Sequence, residues 1–150
     1  MVKNVTNDYF NKNVYDIKSA LESKEGELKF LGKKPVLIDF YATWCGPCRV
    51  LEPILNELYT EYDDEIDIYK VNTEDEMELA GAFGVMSLPT LLFIPIEGKP
   101  VISPGAPPKV YLKELIDEKL FGKEVKKDEL KEQVGTFNKL MEKIKAVLKW

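Results

Sequence analysis

At 150 residues, 45% apolar and 31% charged, the chain has the size and composition of one soluble globular domain with one core. A formal net charge of −5 argues against nucleic acid as a main partner, and the absence of histidine removes His-based general base catalysis and His metal ligation. The only two cysteines, Cys45 and Cys48, cannot complete a structural zinc site and leave none over for a separate structural disulfide.

Thr6 or Asn7 is placed to cap a first helix in which Phe10, Val14, Ile17 and Leu21 recur at helical spacing. Glu22 to Lys34 is charged, with Leu28, Phe30 and Leu31 as its apolar anchors, which predicts an irregular segment or a short extra hairpin. Val36 to Tyr41 then reads as a central strand, apolar on both faces as a parallel strand between helices is. Trp44-Cys45-Gly46-Pro47-Cys48 follows as a sharp turn. Val50, Leu51, Ile54, Leu55, Leu58 and Tyr62 mark a helix from about Pro47 to Tyr62. Asp63-Asp64-Glu65 turns the chain into a second parallel strand, Ile66 to Val71. Thr73 to Glu76 has the capping-box pattern and predicts a short helix through Leu79 and Phe83, stopped near Gly84. Thr90–Ile94 and Val101-Ile102 flank Glu97-Gly98-Lys99, a hairpin signal. Pro107-Pro108 open a helix carrying Leu112, Leu115, Ile116 and Leu120, and Gly122 ends it.

The strand–turn–helix order places the cysteines at a helix N-terminus, where unsatisfied N–H groups and the helix dipole stabilise an anion. A thiolate is such an anion, and it is the reactive form of cysteine. Cys45 is expected exposed at the helix start, with Cys48 one turn inward on the same face, a spacing that suits a reversible disulfide. Taken alone, Cys-x-x-Cys is also half of a metal site. Asp39, between Ile38 and Phe40 in a core strand, is expected to be buried, which disfavours its charged form.

The turn resembles the active site of thioredoxins, with the Cys-Gly-Pro-Cys of that family. The likeness extends beyond it. Asp39 lies six residues before Cys45, Pro53 five after Cys48, and Lys70 in the next strand-like run. Ser87-Leu88-Pro89-Thr90 is similar to the family's cis-proline loop and Gly105-Ala106 to its last substrate-side loop. In this order the resemblance covers about residues 5 to 121, and the chain is identified as a member of the thioredoxin family. It implies an α/β thioredoxin fold, a central mixed sheet flanked by helices, in residues 1–122.

The implied activity is reduction of disulfide-containing protein substrates. Cys45 attacks, Cys48 resolves the mixed disulfide, Asp39 takes the Cys48 proton, and Lys70 offsets the Asp39 charge. Trp44, Gly46, Pro47, Val85, Leu88, Pro89, Gly105 and Ala106 would form the substrate face, with the Leu88 backbone pairing to an extended segment. No bound cofactor is implied, because the electrons reside in the cysteine pair. An external reductase or a membrane electron carrier would restore the dithiol. Tyr41, Leu88 and Arg49 depart from the usual family residues, the first two at positions that bear on substrate fit. Gly46-Pro47 lacks the histidine of oxidising relatives, which favours reduction. The alternatives are a disulfide isomerase, a specialised envelope thiol reductase, or a binding module recruiting a partner through its tail; two intact cysteines argue against the last.

That tail is residues 123–150, beyond the usual family length. Leu130, Val134, Phe137, Met141, Ile144 and Leu148 form a helical stripe. Eight Lys against five Asp or Glu give the segment +3, leaving −8 on residues 1–122. The expectation is an amphipathic helix docked on the acidic body of a monomer. A weak dimer through the stripe or a basic helix on a membrane or partner are the other readings. Gly135 and Asn138 weaken a continuous helix. No apolar run approaches the ~18 residues that span a membrane. Met1-Val2-Lys3-Asn4 has no leader pattern, so the compartment stays open: cytoplasmic as the sequence stands, periplasmic if a leader has been removed.

Overall fold

The computed structural model describes residues 1–24, 26–123 and 127–148, and in the last helix only the side chains of residues 135–145. Five strands form one sheet in the order β1-β3-β2-β4-β5: β1 Lys3–Asn4, β2 Val36–Tyr41, β3 Asp67–Asn72, β4 Thr90–Ile94 and β5 Val101–Pro104. β1 and β2 run parallel to β3, while β4 is antiparallel to β2 and β5 to β4. The helices are α1 Asn7–Asn13, α2 Ile17–Glu22, α3 Gly46–Tyr62, α4 Met77–Ala82, α5 Lys109–Phe121 and α6 Lys127–Leu148.

β2 occupies the middle of the sheet because it can bury both faces. Val36, Ile38 and Phe40 pack with Phe10 and Val14 of the α1 region and Leu79 of α4. Leu37 packs with Leu51, Leu55 and Leu58 of α3 and with Leu112, Leu115 and Ile116 of α5. Each of these buried side chains contributes about 1.5–3 kcal/mol before ordering costs. Strand alternation puts Asp39 on the Leu37 face, beneath α3. The register of β2 against β3 sets Asp39 beside Lys70.

Two local expectations in the body of the fold are corrected. The stripe Phe10, Val14, Ile17, Leu21 is not one helix. Asp16 begins α2 by accepting the Ser19 N–H at 3.0 Å, and Leu31 N–H donates to the Val14 carbonyl at 2.8 Å. The break lets Val14 and Tyr15 both be buried, and it leaves Leu21 80% exposed. The described residues from Ser23 to Lys34 are otherwise irregular, tied back by an isolated Tyr15–Phe30 bridge.

The Thr73–Glu76 capping box also does not form. The Thr73 hydroxyl donates to the Tyr41 carbonyl (3.2 Å), while the Glu76 carboxylate accepts the Asn7 N–H from another element (3.2 Å). With both partners engaged elsewhere, residues 73–75 make a turn and α4 starts at Met77. β1 has no sequence signal of its own. It is held by buried Val2 and Val5 on either side and by the Val5 N–H on the Lys70 carbonyl (2.9 Å).

α5 ends at Gly122 with φ 65°, a left-handed cap that suits glycine. α6 runs without interruption through Gly135 and Asn138. Of its expected stripe, Phe137, Met141 and Ile144 are exposed, as is Leu140 beside them, so the expected docking on the body is not seen in these side chains. Leu130, Val134 and Leu148 lie outside the described side chains. No helix among the described residues is long and apolar enough to cross a membrane.

Candidate active site

β2 delivers the chain to the sheet's end, and the turn at 42–45 closes with the Cys45 N–H on the Ala42 carbonyl (3.2 Å) and Arg49 Nε–H on the Thr43 carbonyl (3.1 Å). Cys45 is the N-cap of α3, and Pro47 stands in the first turn, where a missing N–H costs nothing. The Cys48 N–H donates to Cys45 Sγ at 3.3 Å. Negative charge on that sulfur therefore faces the free N–H groups and positive end of a 17-residue helix. Pro53, inside α3, removes one further helical donor.

Cys45 and Cys48 are joined as a disulfide, with Cα atoms 5.3 Å apart. Both are buried, at 5% and 4% exposure, so the expected contrast between an open Cys45 and an inner Cys48 is absent. Ala42, Tyr41 and Leu88 pack against the pair and cover both sulfurs.

Below Cys48 a cavity of about 260 Å³ is lined by Asp39, Tyr41, Ala42, Thr43, Cys48, Arg49, Glu52 and Lys70. Asp39 is 2% exposed, and its Oδ1 has no hydrogen-bond partner. Burial pushes its carboxyl up to about 7 from the ordinary 3.8, against the pull of the Lys70 ammonium and with a further push from Glu52. Lys70 does not contact Asp39 as an ion pair. Its Nζ lies 2.9 Å from Glu52 Oε1 and 5.4 Å from the centre of the Tyr41 ring. Its influence on Asp39 is thus through space. A larger hollow lined by Lys33, Glu65, Lys99 and Lys123 lies at the opposite end of β2, away from the cysteines.

Around the disulfide, the Leu88–Pro89 peptide is cis. The Gly105 N–H donates to the Pro89 carbonyl at 2.8 Å, and Gly105 holds φ 105°, which a side chain would strain. Trp44, Gly46, Pro47, Met86 and Ala106 are exposed, and Val85 and Leu88 half-buried, giving an apolar rim. The Trp44 indole N–H donates to the Glu74 carboxylate, which ties the exposed ring to the segment after β3.

The structure thus brings Cys45, Cys48, Asp39 and Lys70 to one place and Trp44, Leu88, Pro89 and Gly105 to its edge. Glu52, Glu74 and Met86 escaped the sequence reading. Only Glu52 had a signal: it lies four residues after Cys48 on α3, hence on the same helix face.

A cysteine pair that holds two electrons as a dithiol and releases them on closing to a disulfide exchanges them with other thiols, so the chain is a thiol–disulfide oxidoreductase. The Thioredoxin family model matches residues 2–118. A thioredoxin of Borreliella burgdorferi is 46% identical over 105 residues, covering 70% of this chain and 86% of that one. The Bacillus subtilis thioredoxin is 45% identical over 86 residues, 57% of this chain and 82% of that one. A chloroplastic M-type thioredoxin of Pisum sativum is 38% identical over 105 residues, but those residues span only 61% of its length. The chain belongs to the thioredoxin family.

Proposed function

We propose that this oxidoreductase works as a monomeric reductase of protein disulfides, with Cys45 as nucleophile, Cys48 as resolving thiol and Asp39 as proton acceptor. What supports the reading is the stack of Cys45 at the α3 N-terminus, Cys48 one turn on, and the unpartnered Asp39 beneath it in a shared cavity. The Cys45 thiolate attacks one sulfur of a substrate disulfide, forming a Cys45–substrate bond and releasing the other substrate sulfur as a thiolate. The Cys48 thiol gives its proton to the Asp39 carboxylate through the cavity, then attacks Cys45 Sγ. That bond formation expels the second substrate thiolate and leaves the Cys45–Cys48 disulfide. The substrate gains two electrons and the enzyme loses two. An external reductase or a membrane electron carrier returns them.

An Asp39 carboxyl near 7 is suited to this exchange, since it holds and releases a proton at neutral pH. The apolar rim of Trp44, Val85, Leu88 and Ala106, with exposed Met86, favours extended, partly apolar substrate segments. The test is insulin reduction with dithiothreitol as electron donor, followed by turbidity. Acceleration over dithiothreitol alone is expected, and its loss in Cys45→Ser. An intact, folded, reducible protein with no acceleration would refute the reading. A further check follows resolution of a preformed mixed disulfide, which Asp39→Asn should slow more than the initial attack.

A further inference from the structure

Asp39 is the buried acid of the resolving step, yet the cation expected to answer it is engaged by another carboxylate. Lys70 stands at the register position next to Asp39 on the neighbouring strand. Its ammonium is nevertheless held at 2.9 Å by Glu52, whose side chain is half exposed at the cavity mouth. Asp39 Oδ1 is left with no partner. We propose that Glu52 is a positioning residue of the resolving step: by holding Lys70 at the cavity mouth it keeps the ammonium from pairing with Asp39, and so sets the pH at which Asp39 can take the Cys48 proton.

The groups facing Asp39 are few. From α3 come Glu52, Cys48 and Arg49; from β3 comes Lys70; from β2 itself, Tyr41. β4 offers Leu91 at the paired position, and α5 contributes no residue to the cavity. Of the two carboxylates, Glu52 is the half-exposed one and Asp39 the buried one, so pairing with Glu52 costs the ammonium less of its hydration. Removing its charge frees Lys70 to turn inward and removes a negative neighbour. Both changes favour the ionised form of Asp39. The consequence is kinetic. In the wild type Asp39 keeps its proton further toward neutral pH and is the stronger base when it loses it.

The proposal rests on Asp39 being the proton acceptor, and its test separates the two. Carboxyl carbon NMR of full-length reduced protein reads the Asp39 titration midpoint directly, whatever the activity. Glu52→Gln should move that midpoint down by on the order of one pH unit, and Glu52→Asp should restore much of it. Lys70→Gln should move it up. In a Lys70→Gln background, adding Glu52→Gln should have a clearly smaller effect, because Glu52 then has no ammonium to position. The pH profile of mixed-disulfide resolution should follow the midpoints, its acid limb moving to lower pH in Glu52→Gln. A midpoint unmoved in folded Glu52→Gln overturns the proposal. A shift of equal size with and without Lys70 also overturns it, by making Glu52 a mere distant charge. If the midpoints move as expected while Asp39→Asn resolves at the wild-type rate, the acceptor role of Asp39 fails and the placement of Lys70 stands.

Discussion

Replacing Asp39 by asparagine turns the buried carboxyl into a measurable stability difference. The side chain is almost wholly buried, Oδ1 lacks a partner, and its carboxyl lies near 7 instead of 3.8. A raised folded value means that the folded state holds the proton more tightly than the unfolded chain does. The resulting stability is fully present below about pH 4 and is lost as the pH rises through about 7. A difference of about three pH units at ~1.4 kcal/mol each sets a ceiling of about 4 kcal/mol by pH 8. Of this, about 2–3 kcal/mol develops between pH 5 and pH 8. Asparagine keeps the shape without the charge, but its amide finds no better partners, an offset of about 1–3 kcal/mol. Urea unfolding of the oxidised protein should therefore show Asp39→Asn more stable than wild type by about 1–3 kcal/mol at pH 8, and nearly level with it at pH 5. A difference that does not change with pH, or a mutant less stable at pH 8, would refute the claim that Asp39 is a desolvated acid.

The order of the cysteines is tested by trapping: Cys48→Ser should hold substrate as a reducible adduct on Cys45, visible by mass spectrometry, and Cys45→Ser should hold none. Adducts carried only by Cys48 would reverse the assignment. From Gly46-Pro47, glutathione titration should give a potential near the family reference of about −270 mV, whereas a value near −120 mV would mark an oxidant. Removal of residues 123–150 should leave insulin reduction within about threefold, under ~1 kcal/mol of barrier, because every site residue lies in the first 122. A folded, inactive truncation would put the tail in the active site.

How far the sequence reaches depends on which interactions decide each element. Strands β2, β4 and β5 and helices α3 and α5 were legible because apolar periodicity, glycine and proline all agree there. The break between α1 and α2 was not, since Phe10, Val14, Ile17 and Leu21 satisfy helical spacing whether or not the chain stays helical. What decides it is the tertiary bond from Leu31 to Val14 acting with the local cap at Asp16. The Thr73–Glu76 pattern failed for the same reason: Tyr41 and Asn7, distant in sequence, claim its capping groups.

The site divides along the same line. Cys45, Cys48 and Pro89 stand in contiguous motifs, and Asp39 betrays itself as a charge inside an apolar run. Lys70 was legible only through the family resemblance and Glu52 only by its helical spacing from Cys48, for a lysine on a strand and a glutamate on a helix are otherwise ordinary surface residues. Their pairing with each other arises when β3 is set beside β2 and α3 is laid across both, so that one register position and one helical turn converge on a single cavity. A buried acid can be read from its neighbours in sequence. The position of its counter-charge is set by two strands and a helix at once, and in this chain that charge is held 2.9 Å from a carboxylate other than Asp39. The placement of the charge nearest the buried acid is therefore a property of the assembled sheet, although the two cysteines are already visible in five consecutive residues.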